Sequence, residues 1–306
     1  MGEVIHGDYS RWVNEGTLHS VTNYQLHKAL YSGHNDHNYF EIAHTVKYLQ
    51  NMGNLDLYNF VDNHDVERIY TKLSNKAHFT PVHILLYTLP GVPSIYYGSE
   101  FGIEGRKERS SDDSLRSALS LDDYETALGD NPCTALIAAL GQIRQHTPAL
   151  SYGSYAELHL TNRQFAFARD LNDVRVVVTV NNDDNAASMD LPAGNAVEYI
   201  GALSGQKVAV QDGRINVTVP ANSGEIWVPS GDMPEYKPFK VEISLKEETV
   251  TDEESIPADS EAPSSATEPV HFDPNKSPEN MSVAELQAAI LAKMANNGPV
   301  SDQMKK

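Results

Sequence analysis

Cysteine is nearly absent: Cys133 is the one thiol in 306 residues. That excludes an internal disulfide and, with no second thiol nearby, a zinc-thiolate centre. A buried, inert thiol is the expected state of that side chain. Basic residues are the minority, 23 against 42 acidic ones, and the formal net charge of -19 opposes binding to a nucleic-acid backbone or an anionic lipid surface. Long apolar runs are missing too. No stretch approaches about 18 apolar residues, so no membrane-spanning helix is expected. The start "MGEVIHGDYS" lacks the basic stretch and apolar core of a secretory leader.

What is present is enough chain for about two domains of typical size, roughly 100 to 200 residues each. The first part alternates helical and strand patterns. "HNYFEIAHTVKYLQNMGN" sets Ile42, Val46 and Leu49 at helical spacing and stops at Gly53. "LYNFVD" comes next as a short apolar run, "KAHFTPVHILLYTLPG" reads as a helix ending before Pro90 and Gly91, and "SIYYG" reads as a strand. This rhythm predicts parallel strands with helical crossovers.

After the helix "TALIAALGQIRQH" the pattern becomes short alternating runs between turn residues, the clearest being "FAFARD", "VRVVVTVNN", "AVEYIG", "KVAVQDG", "INVTVPANS" and "GEIWVPS". Asp212-Gly213 is a hairpin signal. An antiparallel all-β module is therefore expected at 148–230. Residues 231–281 are rich in Glu, Asp, Ser and Pro and are expected to be a disordered acidic linker. Over 282–297, Ser282 and Glu285 form a capping box ahead of the stripe Leu286, Ile290, Leu291 and Met294, which predicts a short amphipathic helix.

Three polar groupings are candidates for chemistry. Glu3, near the start, reads by itself as an exposed surface charge. His34, Asp36 and His37 in "GHNDHNYF" read as a loop of turn-forming polar residues ahead of a metal site. The third is "NFVDNHD", residues 59 to 65, where two carboxylates and a histidine come after an apolar run. Asp65 is there open to two roles: N-cap of a helix beginning in "VERIYTKL", or an active-site carboxylate. Parallel α/β barrels build active sites on the loops after their strands, and Asp62, His64 and Asp65 stand where such a loop is expected.

"NFVDNHD" resembles the fourth short sequence region of the α-amylase family, glycoside hydrolase family 13, with its aromatic residue, three variable positions and His-Asp. "GEV" at 2 to 4 resembles the third region. "GVPSIYYGSEFGIEG" at 91 to 105 resembles the segment around the eighth barrel strand, and "DDSLRSALSL" with the all-β region resembles the family's post-barrel segment and C-terminal β-sandwich. In texture, residues 20 to 50 look most like the bacterial cyclomaltodextrinase, neopullulanase and maltogenic amylase relatives.

The resemblance implies an α/β plus all-β chain: the C-terminal part of a (β/α)8 TIM barrel over 1–147, an antiparallel β-sandwich over 148–230, then the acidic tail. It gives Glu3 the role of general acid/base, Asp65 that of the third catalytic carboxylate and His64 that of a sugar-binding histidine. The family's nucleophilic aspartate belongs to a region that precedes Glu3, so none of the 306 residues takes that role, and the isolated chain is expected to be inactive. The implied activity is retaining hydrolysis of α-1,4-glucosidic bonds in maltooligosaccharides, starch or cyclodextrins. A family transglycosylase and a non-catalytic sugar-binding relative are the alternatives. The implied partner is an α-glucan, with no nucleic acid, no membrane and no cofactor; calcium and a homo-oligomer remain open for the parent protein. A cytoplasmic location is the expectation.

Overall fold

The computed structural model describes residues 1–53 and 55–231. The linker expected at 231–281, apart from Gly231, and the helix expected at 282–297 lie outside the described residues.

Four extended segments lie side by side in chain order, all parallel. Gly2 pairs with Val21, Thr22 with Tyr58, and strand β1 (Tyr58–Asn59) with β2 (Val92–Pro93). Helices return the chain between them: α1 (Tyr24–Asn35) and α2 (Tyr39–Gln50) after the second segment, then α3 (Ile69–Lys72) and α4 (Phe79–Thr88) after β1. This is the arc of a barrel-type sheet that the alternating pattern predicted. Helices α5 (Ala127–Asp130), α6 (Pro132–His146) and α7 (Pro148–Tyr152) come after β2.

Local chemistry sets several boundaries. Asn23 caps α1, its side chain accepting the Leu26 N–H at 3.1 Å, while Asn131 accepts from Cys133 and Thr134 at the start of α6, where Pro132 occupies a first-turn position that needs no N–H. The stretch around His34 differs from the expected loop, since α1 runs through His34 to Asn35. Gly33 allows this, because a Cβ there would stand 2.8 Å from the Ile42 side chain on the neighbouring α2. "SIYYG" differs as well. Only Val92 and Pro93 pair as strand, and the chain then turns through Gly98 at φ +85°, a backbone region that favours glycine.

Strands β3 (Ser154–Leu160), β4 (Gln164–Leu171), β5 (Val174–Asn181), β6 (Ala187–Pro192), β7 (Glu198–Gly201), β8 (Lys207–Ala209), β9 (Arg214–Val219) and β10 (Ser223–Pro229) form two antiparallel sheets. One has the order β3-β4-β5-β10-β7-β8 and the other is the pair β6-β9. Asp212 and Gly213, both at positive φ, make the turn into β9. The runs "FAFA" and "VVVTV" are continuous in hydrophobicity because the large sheet is covered on both faces. Phe165, Phe167, Val176, Val178, Val180, Ile226 and Val228 join the core formed by α1, α2, α4, α6 and α7. Ala166, Val177 and Trp227, pointing the other way, meet Met189, Leu191, Ile215, Val217 and Val219 of the small sheet. Trp227 donates its indole N–H to Thr179 Oγ1 at 3.1 Å.

Buried Arg169 ties the arc to the sheet, and half-buried Arg144 ties α6 to the arc. Arg169 on β4 donates to the carbonyls of Thr88 (2.6 Å) and Gly153 (2.9 Å), while Arg144 on α6 donates to those of Tyr87 (2.6 Å) and Gly91 (2.7 Å). Both cations thus sit on carbonyls at the C-terminal end of α4 and just beyond it, where the helix dipole is negative. Cys133 is half-buried and free, and burial raises its thiol, which keeps it protonated.

Candidate active site

Glu3, Tyr24 and the Asn63–Asp65 turn all lie just past the C-terminal ends of the parallel segments, the end at which parallel barrels place their chemistry. The sequence-predicted pair, Glu3 and Asp65, is joined through two residues that the sequence pattern did not single out. Tyr24 donates its hydroxyl to Glu3 Oε1 at 2.6 Å and accepts from Asn63 Nδ2 at 3.1 Å. Asn63 Oδ1 in turn accepts the backbone N–H of Asp65 at 2.9 Å and that of Val66 at 3.1 Å. One asparagine therefore shapes the His64-Asp65 turn and connects it to the carboxylate near the start of the chain. Tyr24 is held by edge contact with Phe60, ring centroids 4.9 Å apart. Burial, then the hydrogen bond to Glu3, pushes the Tyr24 hydroxyl up to about 12, so it remains a proton donor at neutral pH.

Asp62 and Asp65 play different parts. Asp62 is buried, and its Oδ2 accepts the N–H of Ile69, the first residue of α3, at 2.7 Å, while Ser99 Oγ donates to it at 2.8 Å. Burial pushes its carboxyl up to about 6, against the lowering effect of these hydrogen bonds and of Arg68. The helix-capping role open to Asp65 in the sequence thus falls to Asp62. Asp65 is left exposed, with Oδ1 paired at 2.7 Å to Lys107 Nζ. His64 is exposed too, and its carbonyl accepts from Arg116 Nε at 3.0 Å.

Arg68 organises the wall behind this turn. Its guanidinium is fully buried, stands 4.3 Å from the centroid of the Tyr96 ring, and donates to the carbonyls of Tyr97 and Leu115 and to Ser99 Oγ. Arg68, three residues after "NFVDNHD", thus holds the "IYYGS" segment against the start of α3, contacting Tyr97 and Ser99 29 and 31 residues further on. Asn63 had a signal in the sequence, since it stands within "NFVDNHD", whereas Tyr24, after the polar stretch "HSVTN", had none. Lys107 had none either.

His34 and His37 do not form a metal centre. His34 donates from Nδ1 to the Leu30 carbonyl (2.7 Å), and His37 Nδ1 lies 2.9 Å from the Asn182 carbonyl. Among the described residues no group of three or more His, Cys, Asp or Glu side chains is arranged to hold a metal ion. No helix among them is long and apolar enough to cross a membrane. A cleft of about 470 Å³ lies at the other end of the parallel segments, lined by Leu57, Gly91, Tyr152, Tyr155 and Arg169 among others. It gathers no pair of acid and base, so the chemistry points to the Glu3 and Asp65 cluster instead.

Comparison with known proteins agrees with the motifs. The model of the α-amylase catalytic domain matches residues 1–149, and that of the α-amylase C-terminal domain matches 153–227. A cyclomaltodextrin glucanotransferase of Niallia circulans is 28% identical over 180 residues, covering 56% of this chain and 24% of that protein. Neopullulanase 2 of Thermoactinomyces vulgaris is 25% identical over 237 residues, covering 74% of this chain and 39% of that one. The chain thus spans well under half the length of these relatives. Among solved structures, an α-amylase from Malbranchea cinnamomea superposes with a TM-score of 0.64 at 22% identity, over 76% of this chain and 50% of that one. The chain belongs to the α-amylase family of glycoside hydrolases, holding part of the catalytic domain and, after it, the family's antiparallel C-terminal domain.

Proposed function

We propose that the chain carries the acid/base and sugar-holding part of an α-glucan-active site, acting on α-1,4-glucosidic bonds of maltooligosaccharides, starch or cyclodextrins with retention. The observation that carries this reading is the Glu3–Tyr24–Asn63–Asp65 chain of hydrogen bonds at the ends of the parallel segments. A retaining glycosidase needs one carboxylic acid to protonate the leaving oxygen and a second carboxylate, about 5 to 5.5 Å away, to capture the anomeric carbon. Glu3 fills the first role. Tyr24 fixes its Oε1, which leaves Oε2 to deliver the proton to the glycosidic oxygen. Asp65 binds sugar hydroxyls and stabilises the positive charge that develops at the transition state, and His64 binds the same sugar.

The capturing carboxylate, in this reading, is contributed by a segment outside these 306 residues. The same reading divides the chain at 147/148 into barrel and sandwich, places it in the cytoplasm, and gives it no nucleic-acid, membrane or cofactor partner. Transglycosylation by the same site is favoured as a second reading by the glucanotransferase names among the relatives.

Reducing-sugar release from maltoheptaose tests this. The chain alone is expected to give none, and complementation with a nucleophile-bearing barrel segment is expected to give turnover that Glu3→Gln abolishes. Turnover by the chain alone, lost in Glu3→Gln, would show that another carboxylate serves as nucleophile. Turnover that survives Glu3→Gln would remove Glu3 from the mechanism.

A further inference from the structure

The loop from Gly105 to Leu115 is anchored in one way at its neck and in another at its tip. At the neck both ends rest on Arg68: its backbone N–H donates to the Gly105 carbonyl at 3.0 Å, and its Nη2 donates to the Leu115 carbonyl at 2.8 Å. Gly105 N–H also donates to Thr71 Oγ1 at 2.8 Å. The two ends approach so closely that a Cβ on Gly105 would stand 2.4 Å from the Ser114 carbonyl oxygen. This is a closed-neck Ω-type loop. Gly105 and Leu115 are buried, whereas residues 106 to 110 between them are exposed.

The loop reaches the candidate site through charge alone. Lys107 Nζ lies 2.7 Å from Asp65 Oδ1 and 2.7 Å from Asp112 Oδ1. Asp112 Oδ2 accepts from Arg116 Nη2 at 3.1 Å, and Arg116 Nε holds the His64 carbonyl. The Lys107 and Asp65 side chains keep 42% and 48% of their surface in solvent, which makes theirs an ion pair of small net strength that salt screens. The neck is held by short hydrogen bonds around a buried guanidinium and has no such sensitivity.

We propose that Lys107 is an electrostatic latch on the sugar-holding carboxylate: its ammonium occupies Asp65, and a neutral oligosaccharide gains that carboxylate by displacing it while the neck of the loop stays in place. The inference rests on the assignment of Asp65 to sugar hydroxyls made above, and it adds a positioning residue that sets the affinity of that subsite. It has an unusual signature. An uncharged sugar binding to a free carboxylate has little reason to respond to ionic strength, but one that must first break an ion pair binds more tightly as salt rises.

The test is calorimetric titration of the 306-residue chain with maltoheptaose in about 20 mM and about 500 mM NaCl, where the Debye length falls several-fold, for the wild type, K107M, K107R and D65N, with thermal unfolding confirming that each variant folds. The wild type is expected to gain about 2- to 5-fold in affinity at high salt, the range that an exposed ion pair supplies. K107M is expected to show the high-salt affinity at both concentrations, and K107R to restore the salt dependence. Salt-independent wild-type binding equal to that of K107M, but lost in D65N, would overturn the latch and leave the functional reading standing. Weaker binding by K107M would also overturn it, since Lys107 would then be a sugar ligand. Binding unchanged in D65N, or absent from wild type and K107M alike, would overturn the latch together with the assignment beneath it.

Discussion

Lowering the pH from 7.5 to 5 is expected to remove a large part of the stability of the described fold, because several histidines are buried as neutral rings. His27 donates from Nδ1 to the Val61 carbonyl at 2.9 Å and stacks on Phe60, and burial pushes it down to about 4. His34 donates to Leu30 and meets the Tyr39 hydroxyl at 3.2 Å through Nε2; burial, with His78, His37 and His83 facing it, takes it down to about 3. A carbonyl only accepts, so Nδ1 of His34 carries the proton and Nε2 accepts from Tyr39; a second proton there would set two donors face to face. His83 donates to Phe79, lies 3.9 Å from that ring, and is pushed down to about 4 by burial.

In the unfolded chain these rings take up protons below about pH 6.5, while in the fold they stay neutral, so the unfolded state binds more protons and stability falls as pH falls. At pH 5 each such ring costs about 2 kcal/mol, and the three together about 6 kcal/mol. Asp62 acts oppositely. Its carboxyl is raised in the fold, so the native state takes up a proton first as pH falls below about 6, which returns about 1.5 kcal/mol at pH 5. The net loss of roughly 5 kcal/mol is comparable to the whole stability of many domains. Urea unfolding followed by the fluorescence of buried Trp227 measures it. An unchanged midpoint between pH 7.5 and 5, or histidine titrations by NMR near the ordinary value for all three rings, would refute the reasoning.

Asp62→Ala should destabilise the fold by about 2 to 4 kcal/mol in urea, because it strands the buried Ile69 N–H and Ser99 hydroxyl, whereas Asp65→Asn, at an exposed position, should change stability by less than about 0.5 kcal/mol. Equal losses would return the capping role to Asp65. In a complemented enzyme Asp65→Asn should reduce kcat by several orders of magnitude, as removal of charge stabilisation needed at the transition state does, and should raise KM as well, because the same carboxylate holds sugar hydroxyls in the ground state; near-normal kcat would remove it from the chemistry. Arg169→Leu should cost about 2 to 3 kcal/mol by leaving the Thr88 and Gly153 carbonyls unpaired in the core, and a loss under about 0.5 kcal/mol would show that these contacts do not tie the arc to the sheet.

Much of the architecture was legible because the periodicities are strong. Ile42, Val46 and Leu49 marked α2, and Asp212-Gly213 marked its hairpin. Strands β3 and β6 escaped notice, because β3 lies at the edge of its sheet, where "SYAELHL" has no fully buried residue, and β6 buries only Met189 and Leu191 and ends at Pro192. Helix α1 was hidden by Gly33 and the polar run behind it, a position where packing against Ile42 outweighs propensity. Within the site, motif residues were readable as motifs, but the division of labour between Asp62 and Asp65 was not. Both precede the same helix, and only the fold turns one inward and the other out. Lys107 was invisible for a different reason: its partner lies 42 residues away, and nothing in a charged loop announces which carboxylate it will meet.

The central claim, that the α-glucan site is the cluster of Glu3, Tyr24, His64 and Asp65, is tested most directly by amide NMR of the 306-residue chain titrated with maltoheptaose. The account predicts chemical-shift changes concentrated at Glu3, Tyr24, Asn63 to Val66 and Lys107, and lost in Asp65→Asn. Changes confined instead to the cleft around Leu57, Tyr152 and Tyr155, and indifferent to Asp65→Asn, would contradict it.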